Sequence, residues 1–216
     1  MKSISITILV LFLACNFANA QDTVYMYKSG FVVGKRAASA IDSIVFYKSA
    51  KAQTLSIGEV FMGGIVAYIL QPGDPGYIAS ETHGLIAAPA DQGSGGIQWW
   101  NGSNVATNAL ATAIGSGLSN TNAIIAAQGP VATDYAAGLA RAYAGGGYTD
   151  WFLPSKDELN KLYLNKAAIG GFGDFYYWTS TKEGNGLDVW YQHFITGTQA
   201  YNYSHSTLHV RAIRVF

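Results

Sequence analysis

The chain has 216 residues, 13 basic and 13 acidic side chains, and one cysteine. That balance excludes a generally basic face for nucleic acid or an anionic membrane, and a lone cysteine excludes an internal disulfide framework. Charged residues are only 12 % of the chain, against 25 Gly and 14 Tyr with many Asn, Ser and Thr, so the surface is neutral and hydrogen-bonding.

Residues 1–20 read as a secretory signal. Lys2 gives the positive start, and residues 4–14 form an apolar core too short to span a bilayer. Ala18 and Ala20 are the small residues a cleavage site needs, so cleavage is expected after Ala20. The alternative makes Cys15 a lipid anchor, but Phe12 suits the start of such a box poorly, and simple cleavage is the preferred reading. Cleavage removes Cys15 and Lys2, leaving 12 basic against 13 acidic residues and no thiol. The remaining chain, about 195 residues, is long enough to bury a core without disulfides. No later apolar run is long enough for a transmembrane helix, so a secreted or cell-surface protein is expected.

Residues 21–57 read as a small β-rich extension and linker, with short strands at 23–27, 31–33 and 44–47 and the linker at 48–56. Such a segment is too short to hold a core alone. The main domain is placed at 58–216. Residues 61–70 predict a central buried strand, 71–76 a Pro/Gly turn and 83–88 another strand. Residues 91–102 read as a Gly/Ser/Trp loop. Helices are predicted at 104–114, from a Ser119 or Asn120 cap to Gly129-Pro130, and from a Thr133 cap through Tyr143 to a Gly stop. The fourth helix has the strongest signal: Pro154 precedes Ser155, and Ser155 with Glu158 has the spacing of a capping box. Leu159, Leu162 and Tyr163 then share one face. Strands return at 176–180, 189–195, 199–203 and 208–216. The order predicts an α+β domain with mainly antiparallel pairing.

Seven motifs carry a family resemblance: GGIVAYI (63–69), HGLIAAP (83–89), GIQWWNG (96–102), DWFLPSKDEL (150–159), YYWTST (176–181), VWYQHF (189–194) and VRAIRVF (210–216). In this order they resemble the Lcl C-terminal domain family, named for a Legionella collagen-like adhesin, over residues 58–216. The resemblance implies a C-type-lectin-like fold in which the first and last strands pair, here 64–70 with 208–216. It implies surface adhesion or ligand binding, with glycans (sulfated polysaccharides among them) as a ligand class, and it is compatible with a homo-oligomer. It does not reach residues 21–55, and a shared fold does not fix the ligand.

The candidate chemistry lies in loops. Trp99, Trp100 and Asn101 sit in a Gly-rich segment: exposed indoles stack on sugar rings and Asn offers donor and acceptor, but either indole could equally plug the core. Residues 199–207 pack Tyr201, Asn202, Tyr203, Ser204 and His205 between apolar strands, a composition suited to an adaptable binding face or to a solvated tip. Trp100, Asn101, Trp190, Tyr201, Tyr203 and His205 are the candidate ligand residues. Trp151, Pro154, Ser155, Glu158, Trp178 and Arg211 are read as structural. Asp150 could pair with Arg211 or Arg214, or ligate calcium.

No metal or other cofactor is expected. The calcium motifs of sugar-binding lectins are missing, although a loop site through Asp91 or Asp188 stays open. His83, His193, His205 and His209 are scattered; His205 and His209 lie about 13 Å apart if both are in one strand, too far for one zinc. Asp157 and Glu158 point apart on a helix and make a poor acid/base pair. Formylglycine-generating enzymes share a broadly similar fold but need cysteines that the mature chain lacks, and no G-x-S-x-G elbow is present. The expected function is non-enzymatic binding of a glycan or extracellular protein ligand, with no nucleic acid partner; the alternative is an assembly module of a surface complex.

Overall fold

A computed structural model describes residues 23–28, 31–37, 54–129, 134–184 and 186–216. The signal at 1–20 with Cys15, the strand expected at 44–47, most of the expected linker, Pro130 and the Thr133 cap lie outside the described residues. The chain divides into two units, Met1–Gln53 and Thr54–Phe216. In the first, β1 (Thr23–Lys28) pairs antiparallel with β2 (Phe31–Ala37).

The second unit holds two sheets. One has four strands in the order β11-β5-β4-β3, all antiparallel: β3 (Val60–Phe61), β4 (Gly64–Ile69), β5 (Gly84–Ala87) and β11 (Ile213–Val215). The other has five, in the order β6-β10-β7-β8-β9: β6 (Gln92–Gln98), β7 (Tyr176–Lys182), β8 (Asp188–His193), β9 (Gln199–Tyr203) and β10 (Thr207–Val210). Only β7 and β10 run parallel, at Tyr177 and His209. Helices α1 (Gly117–Gln128), α2 (Ala136–Ala142), α3 (Lys156–Leu164) and α4 (Lys166–Ile169) complete an α+β fold, as expected and compatible with a C-type-lectin-like arrangement. No helix among the described residues is long and apolar enough to cross a membrane.

The sheets enclose two apolar clusters, and alternation along extended segments feeds both. In β5, Ile86 enters one cluster while Leu85 and Ala87 enter the other. Trp151 and Leu153 join the first and Phe152 the second. A side-chain period of two does this only when both faces of the segment are covered. Phe152 also exchanges backbone hydrogen bonds with Ile213, extending the β11 edge.

Several expectations need correction. The strand at 61–70 is broken into a hairpin at Met62-Gly63. Both residues have positive φ, 45° and 86°, which suits a two-residue turn matched to strand twist. The implied pairing of 64–70 with 208–216 does not form: β5 lies between β4 and β11. Residues 208–216 are not one strand either, because the chain changes sheets at Arg211 and Ala212. The Arg211 side chain is buried and donates to the Ala88 and Gly170 carbonyls, while Ala212 gives its N–H to the Gln92 side chain and its carbonyl to Ala88 N at 2.9 Å, so the crossing to the β5 side begins at Ala212.

Residues 104–114 are not a helix. Their carbonyls are claimed from the side: Ala109 O by Lys182 N, Ala111 O by Asn120 and Thr181 side chains, and Thr112 O by Asp157 N. A carbonyl bonded laterally is lost to the i→i−4 ladder. Asn108 at φ 55° breaks the segment further. The loop expected at 91–102 contains β6; Gly96 is needed there, since a Cβ would lie 2.8 Å from Leu208 O. Helix α1 starts at Gly117 after Ser116, so neither Ser119 nor Asn120 caps it. The short α4 was not foreseen. Helix α3 is as expected: Ser155 N–H donates to Glu158 Oε2 at 2.7 Å, and Glu158 N–H to Ser155 Oγ at 3.4 Å.

Candidate functional site

The β8–β9 hairpin places its side chains by register. Asp188 faces Tyr203, Trp190 faces Tyr201 and Gln192 faces Gln199. Partners in an antiparallel pair share a face, and alternate residues return to it, so these six side chains line one side of the sheet. Helix α3 covers one end of that side. Gln192 donates to Asn160 Oδ1 and Gln199 to Lys156 O, both at 2.8 Å. Beyond the helix Tyr201 and Tyr203 are open, at 55 % and 56 % exposure.

Trp190 is the hinge between covered and open ends. Lys156 Nζ lies 3.4 Å from its ring centroid, Tyr201 meets it edge-on at 5.7 Å, and its indole N–H donates to the Glu183 carboxylate. Its ring is therefore largely spoken for. Further along, His205 stacks on Tyr203 at 5.4 Å with planes 7° apart, and Trp100 lies 6.0 Å from His205. The backbone N–H groups of Trp99 and Trp100 both donate to Ser204 O, tying the Gly-rich loop to the end of β9. The result is a strip of rings running Trp190, Tyr201, Tyr203, His205, Trp100, with Lys156 at its head.

Thus Trp100, Trp190, Tyr201, Tyr203 and His205 come together. Asn101 sits beside them with its amide committed: its backbone N–H and its Nδ2 donate to the Gln128 side chain and carbonyl, and its Oδ1 accepts from Ser103 N. Trp99 is 1 % exposed and donates to Thr179 O at 2.9 Å, which makes it a core residue. Lys156 and Glu183 were missed as members of the strip. A helix's first turn and a hairpin turn supply them, and no local spacing signals that meeting.

The other singled-out residues are structural in the fold. Trp151 and Trp178 are fully buried, donating to Tyr148 O at 3.1 Å and Ile97 O at 2.8 Å. Pro154 O accepts from Ser180 N at 2.7 Å. Ser155 is buried in the capping box, and Glu158 Oε1 also accepts from Gly115 N at 2.8 Å. Asp150 pairs with Arg214 and not Arg211; the guanidinium holds its carboxyl below the usual range.

Arg211 is fully buried and pairs with Asp91. Asp91 gives Oδ1 to Arg211 Nε and Nη2, and Oδ2 to the Tyr177 hydroxyl at 2.9 Å. Both of its oxygens are engaged, so Asp91 does not fit a calcium loop. Among the described residues no group of three His, Asp or Glu could hold a metal ion. His209 stacks on Phe175 at 3.9 Å, in a different cluster from His205. Beside Asp91, a broad recess lined by Pro89, Gln92, Leu139 and Tyr143 opens to solvent.

An exposed strip of rings with one ammonium can bind a ligand along its length. Two comparisons bear on the chain as a whole. A family model described as the Lcl C-terminal domain matches residues 91–214, more than half of the chain. Comparison with curated proteins gave no match.

Proposed function

The chain belongs to the Lcl C-terminal domain family, a family of secreted and surface domains, and from that premise we propose that it is a non-enzymatic binding or adhesion protein that holds a glycan against the aromatic strip. The observation that carries this reading is the pair of open rings, Tyr201 and Tyr203, backed by Trp190 and His205. They stand two residues apart on one strand face, about 7 Å along it. Tyrosine rings offer flat apolar area to sugar C–H faces at little entropic cost, and their hydroxyls bond to sugar hydroxyls. Trp190 serves as support, since Lys156 already covers its ring. A hydrolytic role has little support: the Glu183 carboxylate is engaged by Trp190, and Glu158 is buried in a cap.

A glycan array with the wild type and a Tyr201→Ala/Tyr203→Ala double variant tests the proposal. Binding that disappears in the variant is the expected result; no binding by the wild type, or equal binding by both, would overturn it.

A second reading rests on strand β9. The bonds Ser204 N to Leu187 O and His193 N to Thr198 O fix the pairing phase, so the backbone groups of Gln199 and Tyr201 point away from β8. Strand β9 carries no charge, and an uncharged sheet edge is a template for another strand. On this reading the domain is an assembly module. Light scattering separates the two: a stable oligomer that protects Tyr201 favours assembly, and a monomer favours ligand binding.

A further inference from the structure

The β8–β9 hairpin has a second face. Alternation turns Tyr191 and His193 away from Trp190 and Gln192. The ladder sets Tyr191 beside Trp178 and Ala200, and His193 beside Tyr176. Toward the middle of β7 and β8 this face is core: Trp178 and Val189 are fully buried in the first apolar cluster. Toward the β8–β9 turn it opens, and Tyr176 stands 46 % exposed.

Tyr176 is held in place by its neighbours. It stacks on His193 at 4.3 Å with planes 19° apart, and meets Tyr191 edge-on at 5.3 Å. Tyr191 packs in turn against the first cluster, so the exposed ring stands on an anchored base. The turn supplies polar groups beside it. His193 Nδ1 and Thr196 Oγ1 share a hydrogen bond at 3.0 Å, and Thr196 Oγ1 lies 2.9 Å from the hydroxyl of exposed Thr198. His193 Nε2 has no partner among the described residues and is reached by solvent.

The arrangement repeats that of Tyr203 on His205 in the aromatic strip, with the rings closer. A ring already fixed by stacking loses little freedom when a ligand arrives. A sugar needs flat apolar area for its C–H face and hydrogen-bonding groups at its rim. Tyr176 provides the first; its own hydroxyl, His193 Nε2 and Thr198 provide the second. None of Tyr176, Tyr191, His193, Thr196, Thr198 and Ala200 is Asp, Glu, Lys or Arg. The patch therefore complements an uncharged sugar, whereas the strip carries Lys156 at its head.

We propose that Tyr176, His193 and Thr198 form a second glycan subsite, taking a neutral sugar residue on the side of the hairpin opposite the strip. It rests on the glycan reading above for its ligand class and shares no residue with the strip. Subsites on both faces of one hairpin can hold two chains, or two segments of one chain, and gain avidity without further contacts.

The test is NMR of the full chain with isotope-labelled Tyr and His rings, titrated with cellohexaose, maltohexaose and the hexamer of N-acetylglucosamine. At least one of these is expected to shift the Tyr176 and His193 signals saturably, in a Tyr201→Ala/Tyr203→Ala variant as in the wild type. Tyr176→Ala is expected to weaken binding at this face about tenfold, and Tyr176→Phe, which keeps the ring, to weaken it less. Unchanged Tyr201 and Tyr203 signals in the free Tyr176→Ala variant report an intact fold. Shifts confined to Tyr201 and Tyr203 would overturn the second subsite and keep the strip; shifts confined to Tyr176 and His193 would keep the subsite and overturn the strip. No shift with any of the three sugars overturns the subsite. Tyr176 signals that move with protein concentration and not with sugar would also overturn it, and make this face a contact between chains.

Discussion

Arg214 grips Asp150 with two prongs, Nε to Oδ1 at 2.7 Å and Nη2 to Oδ2 at 2.8 Å. The same guanidinium donates to Met62 O at 3.2 Å and lies 3.8 Å over the Tyr148 ring. One side chain thus fixes the entry to the DWFLP segment, the β3–β4 turn and the last strand. The Asp150 side chain is about half exposed, at 53 %, so water screens the pair; Asp150→Asn is expected to cost about 1 kcal/mol at neutral pH. The folded carboxyl is held below its unfolded value by Arg214. Its contribution is therefore full above the unfolded value of about 3.9 and is lost as pH falls through the folded value. Urea unfolding of both proteins at pH 7 and at pH 3 should show the gap closing on acidification.

Glu158 is buried and accepts backbone N–H bonds from Ser155, Gly115 and Gly117. Burial still pushes its carboxyl above the usual value, the donors offsetting it only in part. Glu158→Gln turns an amide NH2 toward one of those N–H groups and is expected to destabilise by about 1–3 kcal/mol. Because the folded pKa is raised, the wild-type carboxyl contributes most below its unfolded value and loses that contribution as pH rises through the folded one. Thermal unfolding from pH 4 to pH 8 should show the gap to Glu158→Gln narrowing as pH rises. The neighbouring Gly117→Ala, a helix-favouring change elsewhere, is expected to destabilise here, since its Cβ would sit 2.1 Å from Glu158 Oε2.

What was legible in the sequence was local. The Ser155–Glu158 box needs only four consecutive residues, and β9 at 199–203 is framed by its own turns. The choice between Arg211 and Arg214 for Asp150 was not legible, because it depends on where the chain changes sheets. The lost helix at 104–114 has the same origin: its residues suit a helix, but Lys182, Asn120, Thr181 and Asp157 claim its carbonyls from distant positions. On the strip, Tyr201 and Tyr203 announce themselves by type and alternation. Lys156 and Glu183 do not, and they are what turn Trp190 from a platform into a support.

Arg211 is a second anchor with a different character. It is fully buried, bonded to Asp91 and to the Ala88 and Gly170 carbonyls, and stacked 3.9 Å over Phe172. Arg211→Met leaves Asp91 without its guanidinium, facing the Tyr177 hydroxyl and the His209 ring at 3.3 Å, and burial already holds the Tyr177 hydroxyl protonated well above its ordinary value. A loss of about 3–5 kcal/mol is expected, with Arg211→Lys recovering only part because it cannot supply the fork. A double-variant cycle with Asp91→Asn should show strong coupling, the pair together costing less than the two single changes added. Additive losses would mean that the ion pair is not the source of the effect.

The aromatic strip separates stability from binding. Tyr201→Ala removes an exposed ring and is expected to change stability by no more than about 0.5 kcal/mol. Trp190→Ala removes the ring under Lys156 and the partner of Glu183, and should cost about 1–2 kcal/mol. If ligand stacks on the tyrosines, Tyr201→Ala should lose binding at full stability, whereas Trp190→Ala should lose both. Calorimetric melting of each variant, followed by the same glycan panel below its melting range, gives the two readouts on one sample. A Tyr201→Ala variant that binds normally while Trp190→Ala does not would shift the platform to the indole and make Lys156 the group that must move aside.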